Sequence, residues 1–495
     1  MPQDQQAPNY ALPISVDVLI VGAGFSGLGM AIKLKQAGLD SFLVIEKGTD
    51  IGGTWHENRY PGCACDIPSH LYSFSFDLNP AWTRMYSGQQ EIWQYLKSCA
   101  SRYAIVPHIK LRTRLREAVW DEAKNLWHVL AGDGLAIDAR ALVSGIGALH
   151  VPSFPNLPGL ARFVGPAFHS AEWNPDVPLE GKNIAVIGTG ASSIQIVPQI
   201  APMAGKLYVF QRTPAWIVPR PDFAFTEKWK NRFQRIPGVM WGFRKLLFWQ
   251  HEFRVLAFLG NRRVRQSIVS IARHQLNKKI KDPKLREALT PKYELGCKRV
   301  LFSSDFYPAL TRENVELVTD NISEVRPDSI VTEDGTERQV DVIVHCTGFR
   351  VTEPLIGIRL VGRNGVEIHE AWRDRMSAYL GITVSGFPNC FILLGPNTGL
   401  GHNSVVLMIE AQVRYVMSCL KLMRRRGWKT LNLKPEAQKR FADRVIQRMG
   451  RTVWQTGGCR SWYQDQKTGE NTTLWPGSVV DYMRRTRFVS SSDYE

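Results

Sequence analysis

Two glycine-rich turns, each with an apolar run before it and a helical pattern after it, constrain the fold of this chain more than any other feature. The first is Gly22-Ala23-Gly24-Phe25-Ser26-Gly27, entered from residues 16–21 (VDVLIV) and left through a helical pattern to Leu34 and a second apolar run over 41–46. The second is Gly188-Thr189-Gly190-Ala191-Ser192-Ser193, entered from 184–187 and followed by a helical stretch to Ile200 and a run at 207–211. Strand, tight turn, helix and strand in this order form a βαβ unit, and apolar strands alternating with helices give a parallel sheet. The first glycine of such a turn permits the tight bend, the second lets the backbone approach a pyrophosphate, and the third lets helix and strand pack closely. The helix N-terminus then faces negative charge. The fold class expected is therefore α/β with two Rossmann-like dinucleotide-binding domains. Ser193 in place of a third glycine loosens the second match.

The residue closing each second strand separates the two nucleotides. Counting 24 residues from Gly22 reaches Glu46, and counting 24 from Gly188 reaches Arg212. A carboxylate accepts hydrogen bonds from ribose hydroxyls, whereas an Arg binds a 2′-phosphate that a carboxylate would repel. The first site suits FAD (or NAD) and the second NADPH. One of each implies hydride transfer to a flavin.

The rest of the chain fills in around these units. The 495 residues suffice for roughly three domains. Further strands are expected at 315–318, 341–346 and 390–394, and the Pro-rich stretch 150–158 reads as a linker. A first FAD-binding part is expected over 1–150, a first NADP-binding part over 151–222 and a helical insertion over 223–295. Second NADP- and FAD-binding parts are expected over 296–345 and 346–495. The net charge of +17 invites a polyanionic partner. Much of it is local, because residues 226–290 carry 16 Lys and Arg against 4 Asp and Glu, a net +12. Within that stretch the apolar side chains of 239–259 fall nearly all round a helical projection, which favours a helix packed between domains with snorkelling cations over a membrane-surface helix. A weak peripheral membrane contact stays open, and nucleic acid is not expected. No run of about 18 uncharged apolar residues exists for a membrane span. The first 32 residues contain no Lys or Arg, and the eight cysteines form neither a disulfide framework nor a zinc site, so a reducing, cytoplasmic location is expected. The close pair Cys63 and Cys65 reads as two small buried thiols rather than a redox centre.

Three longer stretches carry a family resemblance. Phe163-Val164-Gly165-Pro166-Ala167-Phe168-His169-Ser170-Ala171-Glu172-Trp173 is similar to the FxGxxxHxxxW fingerprint of Baeyer–Villiger monooxygenases, with Asn174 where that family usually has Pro or Asp. Related N- and S-oxygenating enzymes end the pattern with Tyr or Phe, so Trp173 favours the ketone-oxidising branch. Gly52-Gly53-Thr54-Trp55, continuing through Tyr60-Pro61-Gly62 to Asp66, resembles the family's other long motif. Cys297-Lys298-Arg299, followed by Asp305-Phe306-Tyr307 and Arg312-Glu313-Asn314-Val315, resembles the segment that bears its active-site Arg.

The resemblance implies FAD and NADPH as cofactors and a ketone and O2 as substrates, with an ester or lactone as product. In that chemistry reduced flavin and oxygen give a C4a-peroxide, which attacks the ketone while deprotonated. Arg299 would be the fixed cation beside it, since guanidinium keeps its proton near neutrality. Asp66 would orient Arg299 and tune its field. Lys298 would join Arg212 and Thr213 on the 2′-phosphate, and Trp55 and Tyr72 would line the flavin. Asn397, in the Gly395-Pro396-Asn397-Thr398-Gly399 loop, would close near the isoalloxazine. Ser26, Thr54, Thr189, Ser192, Ser193 and Gln195 complete the expected cofactor contacts, and His169 is read as a hinge of the NADPH domain. No metal is expected. The alternatives are a flavin enzyme that oxygenates sulfides or amines through a protonated peroxide, and a basic flavoprotein that acts by binding membrane or nucleic acid.

Overall fold

Residues 14–353 and 355–495 are described by the structure, a computed structural model. Residues 1–13 lie outside the described residues, and Ile14 and Ser15 already belong to the first strand. That strand, β1 (Ile14–Val21), leads through the first glycine turn into α1 (Phe25–Gln36) and back to β2 (Phe42–Ile45). β1 and β2 pair in parallel from Val18↔Phe42 to Val21↔Ile45. Leu19 and Ile20 point to opposite faces and both are fully buried, which is why Val18–Val21 is apolar throughout instead of alternating.

The sheet around β1 has eight strands. On one side of β1 lie β2 and the short strand Ile109–Lys110; on the other lies the long strand Leu135–Ser144, with Cys390–Ile392 alongside its end. An antiparallel flank, Leu115–Asp121 and Leu126–Ala131, extends from the start of Leu135–Ser144 and carries Arg359–Val361 at its edge. The flank was not among the expected strands. Its half-buried strands alternate in and out, a weaker signal than the continuous apolar runs of the parallel core.

The second unit repeats the plan with β3 (Asn183–Ile187), α2 (Ser193–Ile200) and β4 (Lys206–Phe210). Its five-stranded sheet is wholly parallel, in the order Val315–Val318, β4, β3, Val342–His345, Ala167–His169. Both units have the parallel α/β architecture expected of dinucleotide folds. Within the second unit, between β4 and Val315–Val318, the chain makes a run of helices that includes Glu227–Arg235, α3 (Val239–Phe253) and Arg262–Lys279. Here one expectation fails. α3 is not packed on all sides: Trp241, Leu246, Trp249 and Phe253 are exposed while Arg244, His251 and Glu252 are buried. The 22-residue helix Val405–Arg426, capped by Ser404 and ended by left-handed Gly427, packs on α1 and seals the first sheet. No helix among the described residues is long and apolar enough to cross a membrane.

Candidate active site

The two glycine turns are brought to one place by the loop that follows β2. Gly22 has φ +97°, and a methyl carbon there would lie 2.7 Å from the Gly145 carbonyl oxygen; at Gly27 it would lie 1.8 Å from that of Gly22. Neither position can carry a side chain. Downstream, the Gly52 amide donates to the Ala23 carbonyl at 2.9 Å, and Gly53 lies against Gly24. Further along the same loop, Gln195 of α2 accepts from the Tyr60 hydroxyl at 3.0 Å and donates to the Ala64 carbonyl at 2.9 Å. The loop thus starts on the first turn, ends on the second helix, and leaves Asp66 between the two units.

Asp66 meets Arg299 there, across 233 residues of sequence. Asp66 Oδ2 accepts from Arg299 Nη2 at 2.5 Å and from Nε at 3.2 Å. The carboxylate raises the Arg299 pKa above its already high value, so the guanidinium stays charged. Arg299 leads directly into the strand Leu301–Phe302, which pairs with Ile217–Val218. From the end of that strand Arg220 Nη2 reaches back to the carbonyls of Cys65 (3.3 Å) and Tyr86 (3.1 Å), holding the Asp66 loop from behind. Tyr463 lies beside the guanidinium, fully buried, with its hydroxyl unpartnered and its pKa pushed up to about 12 by burial. Nothing in the sequence singled out the segment around it; the adjacent Trp462 and Tyr463 in an otherwise polar stretch were the available signal. A disulfide between Cys297 and Cys459 ties this segment to the Arg299 loop. The other six cysteines are free, Cys63 and Cys65 among them.

A family model described as flavin-binding monooxygenase-like matches residues 15–369. A Baeyer–Villiger monooxygenase of Pseudomonas aeruginosa is 46% identical over 98% of this chain and 92% of its own length. The chain belongs to the flavin-binding monooxygenase-like family. Among solved structures, cyclohexanone monooxygenase from Rhodococcus sp. Phi1 bound to NADP+ superposes with a TM-score of 0.88 at 30% identity, covering 98% of this chain and 99% of that one. The OTEMO complex with FAD and NADP superposes with a TM-score of 0.86 at 28% identity and the same coverage.

In this flavin-binding monooxygenase-like protein the remaining expected residues divide into those left free to meet a ligand and those already engaged. Glu46 is buried at the end of β2, its Oε2 accepting from the Ala23 amide (2.7 Å) and its Oε1 from the Gly48 amide (2.7 Å). An ionised carboxylate has about four acceptor sites, so two remain. Ser26 is buried in the first turn of α1, and Thr54 opens the short helix Thr54–Glu57. Trp55 Nε1 donates to the Tyr72 hydroxyl at 3.2 Å, with the two rings edge-to-face at 5.6 Å. Gly188 bends with φ +104°, Gly190 has open space over it, and Ser193 Oγ is buried without a partner. Ser192 precedes α2, and the Thr189 hydroxyl donates to the Thr213 carbonyl at 3.4 Å. Arg212 is exposed beside half-buried Lys298, whose pKa is lowered by burial and by the Arg212 charge. Neither cation forms an ion pair among the described residues.

Two of the expected side chains are already held by other parts of the protein. Both ends of the Gln195 amide are engaged by the Tyr60–Ala64 segment, with Oε1 also accepting from the Ala64 amide at 3.3 Å, so Gln195 joins the two units. Asn397 donates through Nδ2 to the carbonyls of Asn471 (2.9 Å) and Leu474 (3.2 Å), which fastens its loop to the C-terminal segment. His169 ends a strand opposite His345, fully buried, and burial lowers its pKa.

Proposed function

We propose that this protein is a Baeyer–Villiger monooxygenase that inserts one oxygen atom of O2 into a ketone. Ketone, O2, NADPH and a proton become ester or lactone, NADP+ and water. The observation that carries this reading is the Asp66–Arg299 pair held between the two glycine turns. The residues present fit both cofactors. At the first turn no side chain can stand at Gly22 or Gly27, and Glu46 keeps two acceptor sites for ribose hydroxyls. At the second, Arg212 and Lys298 are adjacent cations with no carboxylate partner among the described residues, suited to a dianionic 2′-phosphate, and Ser193 offers an unsatisfied buried hydroxyl.

Bound FAD would supply the redox chemistry, taking a hydride from NADPH and delivering electrons to O2. The chain's own part is electrostatic. Arg299 holds a positive charge that cannot be lost at any working pH, and this charge stabilises the negative charge that develops on the ketone oxygen. Asp66 fixes the plane of the guanidinium through two hydrogen bonds and leaves Nη1 free to point elsewhere. Buried Trp55 and Tyr463, with partly buried Tyr72, provide aromatic surface that keeps water away. A sulfide- or amine-oxygenating activity needs a protonated oxygen donor, which an immovable neighbouring cation disfavours.

The test is ketone-dependent NADPH consumption by the purified yellow protein, with the product identified by mass. Arg299→Ala should retain flavin and lose ester formation. Esters formed at a near-normal rate by that variant, or only hydrogen peroxide from the wild type across linear, cyclic and aromatic ketones, would refute the proposal.

A further inference from the structure

Surface helices ordinarily turn apolar residues to the core and polar ones to water. α3 does the reverse along one side. Trp241 is 59% exposed, Leu246 66%, Trp249 58% and Phe253 62%. At 100° per residue these four, with exposed Lys245, fall within an arc of about 140°. Arg244 and Glu252 of the helix are turned inward and engaged there. Arg244 Nη1 donates to the carbonyls of His70 (2.5 Å) and Leu71 (3.2 Å), and Glu252 accepts from Asn403 Nδ2 (3.0 Å) and the Val480 amide (2.9 Å). The inward bonds fix the rotation of the helix, so the aromatic stripe cannot turn away from solvent.

We propose that this stripe is a docking surface for an anionic lipid bilayer. The occupant follows from charge. The segment 226–290 carries a net +12, and among the described residues only Lys230 and Arg265 of its cations stand in an ion pair. Lys245 lies 5.2 Å from the Trp241 ring, on the stripe itself. Indole rings with cations around them match the level of lipid headgroups, and each Lys or Arg near an anionic surface strengthens the attraction. A second copy of the chain fits poorly, because a two-fold contact would set this uncompensated positive charge against itself. Nucleic acid would satisfy the cations but leave Leu246 and Phe253 against a polar backbone. A bilayer there would present lipophilic ketones to the enzyme.

The flavin-loaded protein is sedimented with unilamellar vesicles of phosphatidylglycerol and phosphatidylcholine, and with phosphatidylcholine alone, at physiological and high salt. Pelleting with the anionic vesicles that falls as salt rises is expected. The double substitution W249S/F253S should weaken the apparent partition at least tenfold while flavin content and turnover of a water-soluble ketone stay unchanged. Failure to pellet with anionic vesicles overturns the proposal, as does equal binding to neutral ones or by the double variant. A dimer in sedimentation velocity that the same substitutions break would assign the stripe to a second copy. Retention of the vesicle-free protein on DNA, abolished by those substitutions, would assign it to nucleic acid.

Discussion

Replacing Asp66 with Asn isolates what the carboxylate does for Arg299. Asn is nearly isosteric and keeps an oxygen where Oδ2 accepts from Nη2 at 2.5 Å and Nε at 3.2 Å, so the hydrogen-bond geometry survives and the charge goes. A hydrogen bond to a charged partner contributes about 1.5–3 kcal/mol against about 0.5–1.5 for a neutral one. Arg299 is 32% exposed and Asp66 23%, so water screens part of the difference, and a net loss of about 1–2 kcal/mol is appropriate. In rate this is roughly 5–30-fold. The loss should fall on kcat for ester formation, because the guanidinium is less firmly held where charge develops, while the KM for NADPH and the flavin content stay close to wild type. The factor should also be the same from pH 6 to 9. Arg299 starts above the ordinary Arg value because of Asp66, and without that carboxylate it still keeps its proton. The assay is steady-state NADPH oxidation with the ester quantified in parallel across that range. A kcat within twofold of wild type would show that Asp66 is a loop anchor with no influence on the cation's action. A loss confined to high pH would refute the premise that Arg299 cannot deprotonate.

Arg212→Ala should raise the KM for NADPH by about 10–100-fold, the equivalent of one charge-assisted contact, and leave the KM for NADH and the saturated kcat almost unchanged; equal loss for both nucleotides would remove the 2′-phosphate assignment. His70 sits with neither ring nitrogen partnered among Phe225, Phe233 and Phe243, and burial, helped by Arg244, pushes its pKa down to about 4. The unfolded chain protonates nearer 6.5, so stability present at pH 7 is lost as pH falls from 6.5 towards 4, by about 2–3 kcal/mol at pH 4.5. His70→Phe should flatten the acid limb of a thermal-denaturation profile by that amount, and an unaltered profile would contradict the buried neutral ring. The Cys297–Cys459 bridge closes a loop of 162 residues, for which the chain-entropy estimate is about 5 kcal/mol. Cys459→Ser should therefore lower Tm by several degrees, reductant should lower the wild type equally, and thiol titration of the denatured, unreduced protein should find six thiols; eight would show the bridge does not form.

What was legible in the sequence was local. A glycine turn, its two apolar strands and its helix span some 30 residues, and their spacing alone placed β1, β2, β3 and β4 within a residue or two at most ends. The same spacing set Glu46 and Arg212 at equivalent ends, a comparison that needs only counting. Asp66 and Arg299 were of another kind. They are 233 residues apart, and apart from the family resemblance each was an unremarkable charge in a loop. The tertiary partners of the Gln195 and Asn397 amides, Ala64 and Asn471, were not legible, because a side-chain amide beside a nucleotide fold looks the same whether it meets a ligand or a neighbouring carbonyl.

α3 inverted a standard inference for a related reason. Projection onto a wheel counts apolar residues and assumes that they turn inward, but rotation is set by the most demanding partners. A guanidinium with two backbone carbonyls and a carboxylate with a buried amide and a backbone N–H outweigh aromatic rings that lose comparatively little by partial exposure. Those same inward bonds fasten the insertion to His70 and Leu71, a few residues beyond Asp66, and to Asn403 and Val480 of the C-terminal part.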